Sequence, residues 1–274
     1  MQVVRISLQI VGIAILAAGG FAAESWKLPQ NSAVKDNGPR TYHFVVDYTS
    51  SDTKGRIVHR QSLSADYTRG LPGDDVVWNH VTSRESSGDA PLSGSAEKRE
   101  FMEGFRYHKH ADTIGDAMKP EFFKGFPPAA IMERTLVWDE EMFEMFGQGQ
   151  FEHLRLNEPY HMLSSQTVDV PGLGKFENRN VELIWIGRSQ RNGQDCAVIQ
   201  YRAYFNPLEF ATGGMALQGR SHYWGEIWVS LATRQIEFAT IDEDVLGEMK
   251  LPGQDVPQVI NVFRSGTFAV VNGK

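Results

Sequence analysis

Arg106, His108 and His110 stand at alternate positions of one predicted strand, so all three project from the same face. Two histidines at that spacing can share a metal ion, and together with Arg106 they can instead hold an anion. A metal centre needs a third ligand, for which Asp112 is the nearby carboxylate, and Arg106 repels a cation. The pattern therefore reads as a solvated strand face, with His108 and His110 kept as candidate ligands and no metal or cofactor expected. Cys196 is the one cysteine, which excludes an intramolecular disulfide and any CxxC motif. It precedes the apolar run Ala197-Val198-Ile199, so it reads as a small buried hydrophobe rather than a nucleophile. Asp242, Glu243 and Asp244 lack the fixed oxygen spacing of a calcium loop and read as a solvated strand end. The glycines after Phe210-Ala211-Thr212 lack the strand and helix of a dinucleotide loop and read as a flexible connection. No G-x-S-x-G elbow occurs, so no catalytic residue is assigned and the chain reads as non-enzymatic.

The stronger signal is apolar. Phe122 and Phe123 lie in a Pro-bounded loop, and Val137, Trp138, Met142, Met145 and Phe146 follow at close to helical spacing. Methionine and phenylalanine together make an adaptable apolar surface, suited to covering a hydrophobic cavity or docking a partner. Phe122, Phe123, Trp138, Met142, Met145 and Phe146 are therefore the candidate ligand-binding residues. Asp139, Glu140, Glu141 and Glu144 fall largely on the other side of the same helix, where solvent is expected.

These residues need elements to hold them, and the dominant period is two. Tyr42, Phe44, Val46 and Tyr48 alternate with polar neighbours, and the chain returns through Ile57 to Ala65 as a hairpin. A third run covers Asp75 to Ser83, with Val77 and Val81 on one face and Val76 and Trp78 on the other. Ser86 to Ser95 is small and polar and reads as a loop. Further on, Asn192-Gly193 marks a tight hairpin, and Tyr223 to Leu231 pairs with Ile236 to Val245 as a second long one. Val259 to Val271 closes the series. Roughly eight to ten strands against one or two short helices, within Ala129 to Phe146, predict a mainly β fold (a β-rich α+β protein). The expected architecture is one large curved antiparallel meander sheet or partly open barrel, with the helices on or in it.

The chain has 274 residues, 41% hydrophobic and 22% charged, enough for one substantial core. With 27 Lys and Arg scattered against 34 Asp and Glu, no basic stripe exists to displace counterions, and nucleic acid is excluded as a partner. Arg5, the apolar run Ile6 to Ala18 and the small residues up to Ala23 form a secretory signal peptide. The expected division is signal peptide at 1–22 with cleavage near Ala22 or Ala23, an extended leader at 23–39, and a single β-rich domain at 40–274. No later stretch is long and apolar enough to span a membrane, so the expected compartment is the periplasm or the exterior, in a bacterial envelope.

In architecture, though in no residue motif, a signal peptide followed by a curved sheet plugged by helices resembles the half-barrel carriers of lipids and lipoproteins in bacterial envelopes. The resemblance implies an acyl chain buried between the sheet and the helix around Trp138 to Phe146. Three functions are thus in view. The first is an exported binder of a lipid or lipoprotein acyl chain, and the second an interaction module for another envelope protein. The third is a hydrolase whose residues meet only in the fold.

Overall fold

The computed structural model describes residues 27–29, 33–35, 38–110, 112–162, 166–170, 174–212, 214–253 and 255–271. The predicted signal peptide lies outside them. Among the described residues thirteen strands form one antiparallel sheet. They are β1 (Arg40–Asp52), β2 (Ile57–Leu71), β3 (Asp75–Ser87), β4 (Glu97–Lys98), β5 (Phe105–His108), β6 (Pro159–His161), β7 (Gln166–Val170), β8 (Gly174–Asn178), β9 (Glu182–Arg191), β10 (Gln194–Thr212), β11 (Met215–Ser230), β12 (Ile236–Lys250) and β13 (Gln258–Val270). Neighbours run β4-β3-β2-β1-β13-β12-β11-β10-β8-β7, while β5 adds to β3, and β9 adds to β10 and carries β6. The first and last long strands thus meet in the middle of the sheet, from Tyr42↔Val270 to Asp52↔Ile260. The two ends of the sheet do not pair with each other, so it is open.

Alternation decides which face is inner. Tyr42, Phe44 and Val46 of β1, Leu63, Ala65 and Tyr67 of β2, and Ala197, Ile199 and Tyr201 of β10 are all buried. Tyr42 stacks on Phe268 of β13 at 4.4 Å between ring centroids, and Tyr67 tilts against Trp78 of β3 at 5.0 Å. This aromatic floor is covered by one helix. After the short turn α1 (Thr113–Asp116) and the prolines at 127 and 128, α2 (Ile131–Glu144) runs without glycine or proline, then continues as a π turn over Met145–Gly149. Phe143 of α2 sits 5.9 Å from Phe44 and 5.7 Å from Phe268, and Phe146 in the π turn sits 5.4 Å from Tyr201. One helix therefore meets side chains from β1 across to β11, which requires the sheet to curve around it. Gly147 permits the closest approach, because a Cβ there would lie 2.8 Å from the Cγ2 of Ile227.

The mainly β, open antiparallel architecture agrees with the alternation in the sequence, and four local readings are corrected. The strand number exceeds eight to ten because β4 to β8 are short, with two to five residues each, too few to show a period. Gly213 lies outside the described residues, and Gly214 does not join separate hairpins: β10 and β11 are one hairpin, paired from Cys196↔Ser230 to Thr212↔Met215. Asp242, Glu243 and Asp244 stand in the middle of β12, not at a solvated end. Finally, β3 slips register between Asn79 and Thr82, and the extra residue moves Val81 to the inner face with Val76 and Trp78.

Candidate functional site

The polar side of α2 does not face solvent. Glu133, Asp139, Glu140 and Glu141 are buried, and Glu140 has no exposed surface at all. That finding overturns the expected outward row, and the reason lies on the strands. Arg69 continues the inner phase of Leu63, Ala65 and Tyr67; Arg264 shares the inner phase of Phe268; Lys109 follows Phe105 and Tyr107. Three cations thus project inward, and the helix turns its carboxylates to meet them.

Arg264 grips Asp139 with two nitrogens, at 2.6 and 3.1 Å, and its Nε pairs with Glu243. Lys109 Nζ lies 2.8 Å from Glu140, 3.0 Å from Glu141 and 2.9 Å from Glu144, and it donates to the Tyr67 hydroxyl at 3.3 Å. Arg69 also pairs with Glu144, and Arg99 reaches Glu133 at 2.9 Å. Three carboxylates share one lysine and one arginine, so the cluster cannot hold all three charges at equal cost. Burial pushes the Glu140 carboxyl well above its ordinary range, beyond what Lys109 offsets, and burial raises Glu141 in the same sense. Glu144 is half-buried, and Lys109 and Arg69 outweigh its desolvation and bring it down to about 2. The two shifts run in opposite directions within one cluster, so Glu140 takes up a proton before Glu144 does.

Asp139 is raised by burial to about 6 despite Arg264. A carboxyl with a raised pKa in the folded state binds its proton more tightly there than when unfolded. Its stabilising contribution is complete below about 4 and disappears as pH rises through 6. Glu144 acts oppositely, losing its contribution as pH falls from about 4.5 toward 2. The melting temperature of the protein is thus expected to rise as pH is lowered from 8 to 5. Asp139→Asn should reduce that slope, by an effect on the order of 3 kcal/mol at most. A slope unchanged in the variant would show that Asp139 is not the group responsible.

A pocket of about 500 Å³ opens beside the end of α2. Lys109, Glu141, Glu144 and Arg234 give it charge and His110 a polar ring, whereas Ile114, Met145 and Val34 give it an apolar wall. A second pocket, of about 130 Å³, lies alongside and shares Lys109 and His110 with it. The combination is amphiphilic, suited to a polar group with a short length of hydrocarbon.

The candidate ligand-binding residues separate into groups. Phe122, Phe123 and Trp138 join Phe105 in an aromatic cluster, with Phe122 5.7 Å from Phe105 and Phe123 6.0 Å from Trp138. Phe146 is on the far side against Tyr201, Met142 is half-buried against the core, and only Met145 lines the large pocket. His108 and His110 do lie on the exposed side of their segment, yet their nitrogens turn to different partners. His108 Nδ1 bonds the Gly73 carbonyl at 2.7 Å, and His110 Nε2 bonds Asp116, not Asp112, at 2.7 Å. Among the described residues no group of three or more His, Cys, Asp or Glu has metal-binding spacing. Cys196 is buried, and its thiol is pushed up to about 11 by that burial and by Glu237, which disfavours the thiolate. Lys109, Arg69 and Arg264 were not singled out in the sequence. The signal that marks them is a cation at an inward-facing position of an otherwise apolar alternation.

No protein-family model matches the chain, and no curated protein matches it in sequence. Among solved structures it is similar to one of lipovitellin concerned with lipid–protein interactions, at a TM-score of 0.38 and 11% identity. That match covers 87% of this chain but 26% of the lipovitellin chain, so the protein spans about a quarter of the chain it matches. A score of that size assigns neither fold nor function, and the architecture rests on this chain's own sheet.

Proposed function

We propose that this protein is an exported envelope protein, without catalysis at this site, that binds an amphiphile such as a lipid or lipoprotein acyl chain. The polar end would occupy the pocket at Lys109, His110 and Arg234, and the chain would enter beneath α2. The observation that carries the reading is the helix itself: it covers an aromatic floor, yet buried ion pairs hold much of its inner side. Such pairs add little net stability over an apolar contact, because desolvation offsets most of their attraction. A helix seated this way can leave the floor at lower cost than one seated on hydrocarbon throughout. Among the described residues no helix is long and apolar enough to cross a membrane.

A second reading, an interaction module for an envelope protein, is favoured by two observations. The inner face is filled by the chain's own side chains, and the outer face exposes Tyr204 and Phe205, the latter 60% exposed. Native mass spectrometry with lipid extraction, on protein recovered from the periplasm of an expression host, separates the two. Copurified lipid that is lost in Met145→Asp, a substitution in the half-buried pocket wall, supports the carrier. A lipid-free mass for the wild-type chain counts against it and directs the search to crosslinked protein partners.

A further inference from the structure

The outer face of β1, β2 and β3 carries a second polar cluster, unconnected with α2. Pairing of β1 with β2 sets His43 opposite Asp66 and Val45 opposite Ser64. His43 Nδ1 lies 2.7 Å from Asp66 Oδ1, and His43 Nε2 lies 3.3 Å from Ser64 Oγ. His80 Nδ1 lies 2.8 Å from the other oxygen, Asp66 Oδ2. An ionised carboxylate only accepts, so Nδ1 of His43 carries the hydrogen. Its Nε2 is then left as an acceptor for the Ser64 hydroxyl. This is the order of contacts by which a carboxylate orients a histidine to take a proton from a serine.

The backbone is shaped for it. The register slip in β3 lies beside Asp66, and His80 there adopts a positive φ of 53°, which residues with a side chain rarely hold. Bulges re-aim side chains next to active sites, and backbone strain of this kind persists where surrounding contacts impose it. Without the slip His80 would continue the inner phase of Val76 and Trp78. With it the imidazole reaches Asp66 on the outer face, 77% exposed. Burial works to raise the Asp66 carboxyl, but the hydrogen bonds from His43 and His80 outweigh it and hold the group below its ordinary range.

We propose that Ser64, His43 and Asp66 form an acyl-transfer site for small, solvent-accessible carboxylic esters, an activity independent of the amphiphile pocket. Ser64 Oγ attacks the ester carbonyl while His43 Nε2 takes its proton. The C–O bond to the alcohol then breaks, and His43 returns the proton to the leaving alkoxide. Water then attacks the acyl carbon as His43 takes its proton, the bond from that carbon to Ser64 Oγ breaks, and His43 returns the proton to Oγ, which frees the acid and restores Ser64. Asp66 is a positioning residue that holds the imidazole of His43, and His80 occupies its other oxygen at 2.8 Å. The open strand face offers no deep acyl pocket, and Val45 opposite Ser64 gives an apolar footing for an acyl group no larger than a few carbons.

The purified full-length protein should react with a fluorophosphonate probe at Ser64, located by peptide mass, and should hydrolyse p-nitrophenyl acetate. Ser64→Ala should abolish the adduct, and His43→Gln should slow its formation about 100-fold, the contribution typical of a general base. His43 is exposed and Ser64 half-buried on the outer face, and unchanged melting temperatures would show that the fold is retained. Asp66→Asn should slow labelling as well, by leaving His43 without its orienting acceptor. An adduct absent from Ser64 in the wild-type protein would overturn the proposal, as would labelling of Ser64 at the same rate in the His43→Gln variant. Because the labelling needs neither lipid nor α2 movement, its failure would leave the carrier reading untouched.

Discussion

Replacing Lys109 with methionine is expected to lower stability by about 3–5 kcal/mol, the usual cost of removing one partner from a buried ion pair. For a domain of this size that corresponds to a melting temperature lower by roughly 10 °C, measurable by calorimetry or circular dichroism. The reason is what remains. Glu140 is fully buried and Glu141 and Glu144 lie beside it, so without Lys109 the remaining ion pair to the three carboxyls, among the described residues, is Arg69 with Glu144. Methionine fills similar space, so a cavity contributes little and the loss reports charge. Adding Glu140→Gln to the variant should recover part of the loss, because the most buried carboxyl is then neutral. A loss below about 1 kcal/mol would mean the lysine is hydrated and the cluster is not a buried one.

The second large effect concerns the movement of α2. A Cβ built on Gly147 lies 3.8 Å from the Cβ of Ile227, the mean separation across a disulfide. Gly147→Cys with Ile227→Cys, in a Cys196→Ser background, should therefore form a bond that fastens the end of the helix to β11. Binding of a fluorescent long-chain fatty acid is expected to be at least about tenfold weaker in the oxidised protein and to return on reduction, as population-shift arithmetic requires when the competent state is withheld. Equal binding in both redox states would show that the ligand does not enter beneath this end of the helix. The readout is internal to one protein, so a general folding defect would appear in both states and not mimic the expected difference.

The alternation of Tyr42, Phe44, Val46 and Tyr48, the Asn192-Gly193 turn and the amphipathic run into Phe146 each lead directly to their elements, because each is a local property. The turn has both residues at positive φ, 52° and 73°, as a two-residue hairpin needs. The acidic row on α2 misled for an equally physical reason. Hydropathy assigns a carboxylate to water unless a counter-charge is waiting inside, and the counter-charges lie on other elements. Arg264 is 125 residues from Asp139, and Lys109 is 31 from Glu140. Arg69, Lys109 and Arg264 at inward positions were the legible half of that arrangement, since a cation in the buried phase of a strand demands an anion.

The sequence by itself determined the class of fold, the location of the long strands though not their full length, and the position of the helix that covers the sheet. Those follow from period, turn chemistry and composition, which act over a few residues at a time. Only the tertiary structure decided that α2 lies with its carboxylates inward, that a charged and apolar pocket opens at its end, and that His43, Ser64 and Asp66 meet. Register between strands and the slip at His80 bring those groups together. Register is set by packing of the whole inner face, in which shifting one strand by a residue would turn every side chain over.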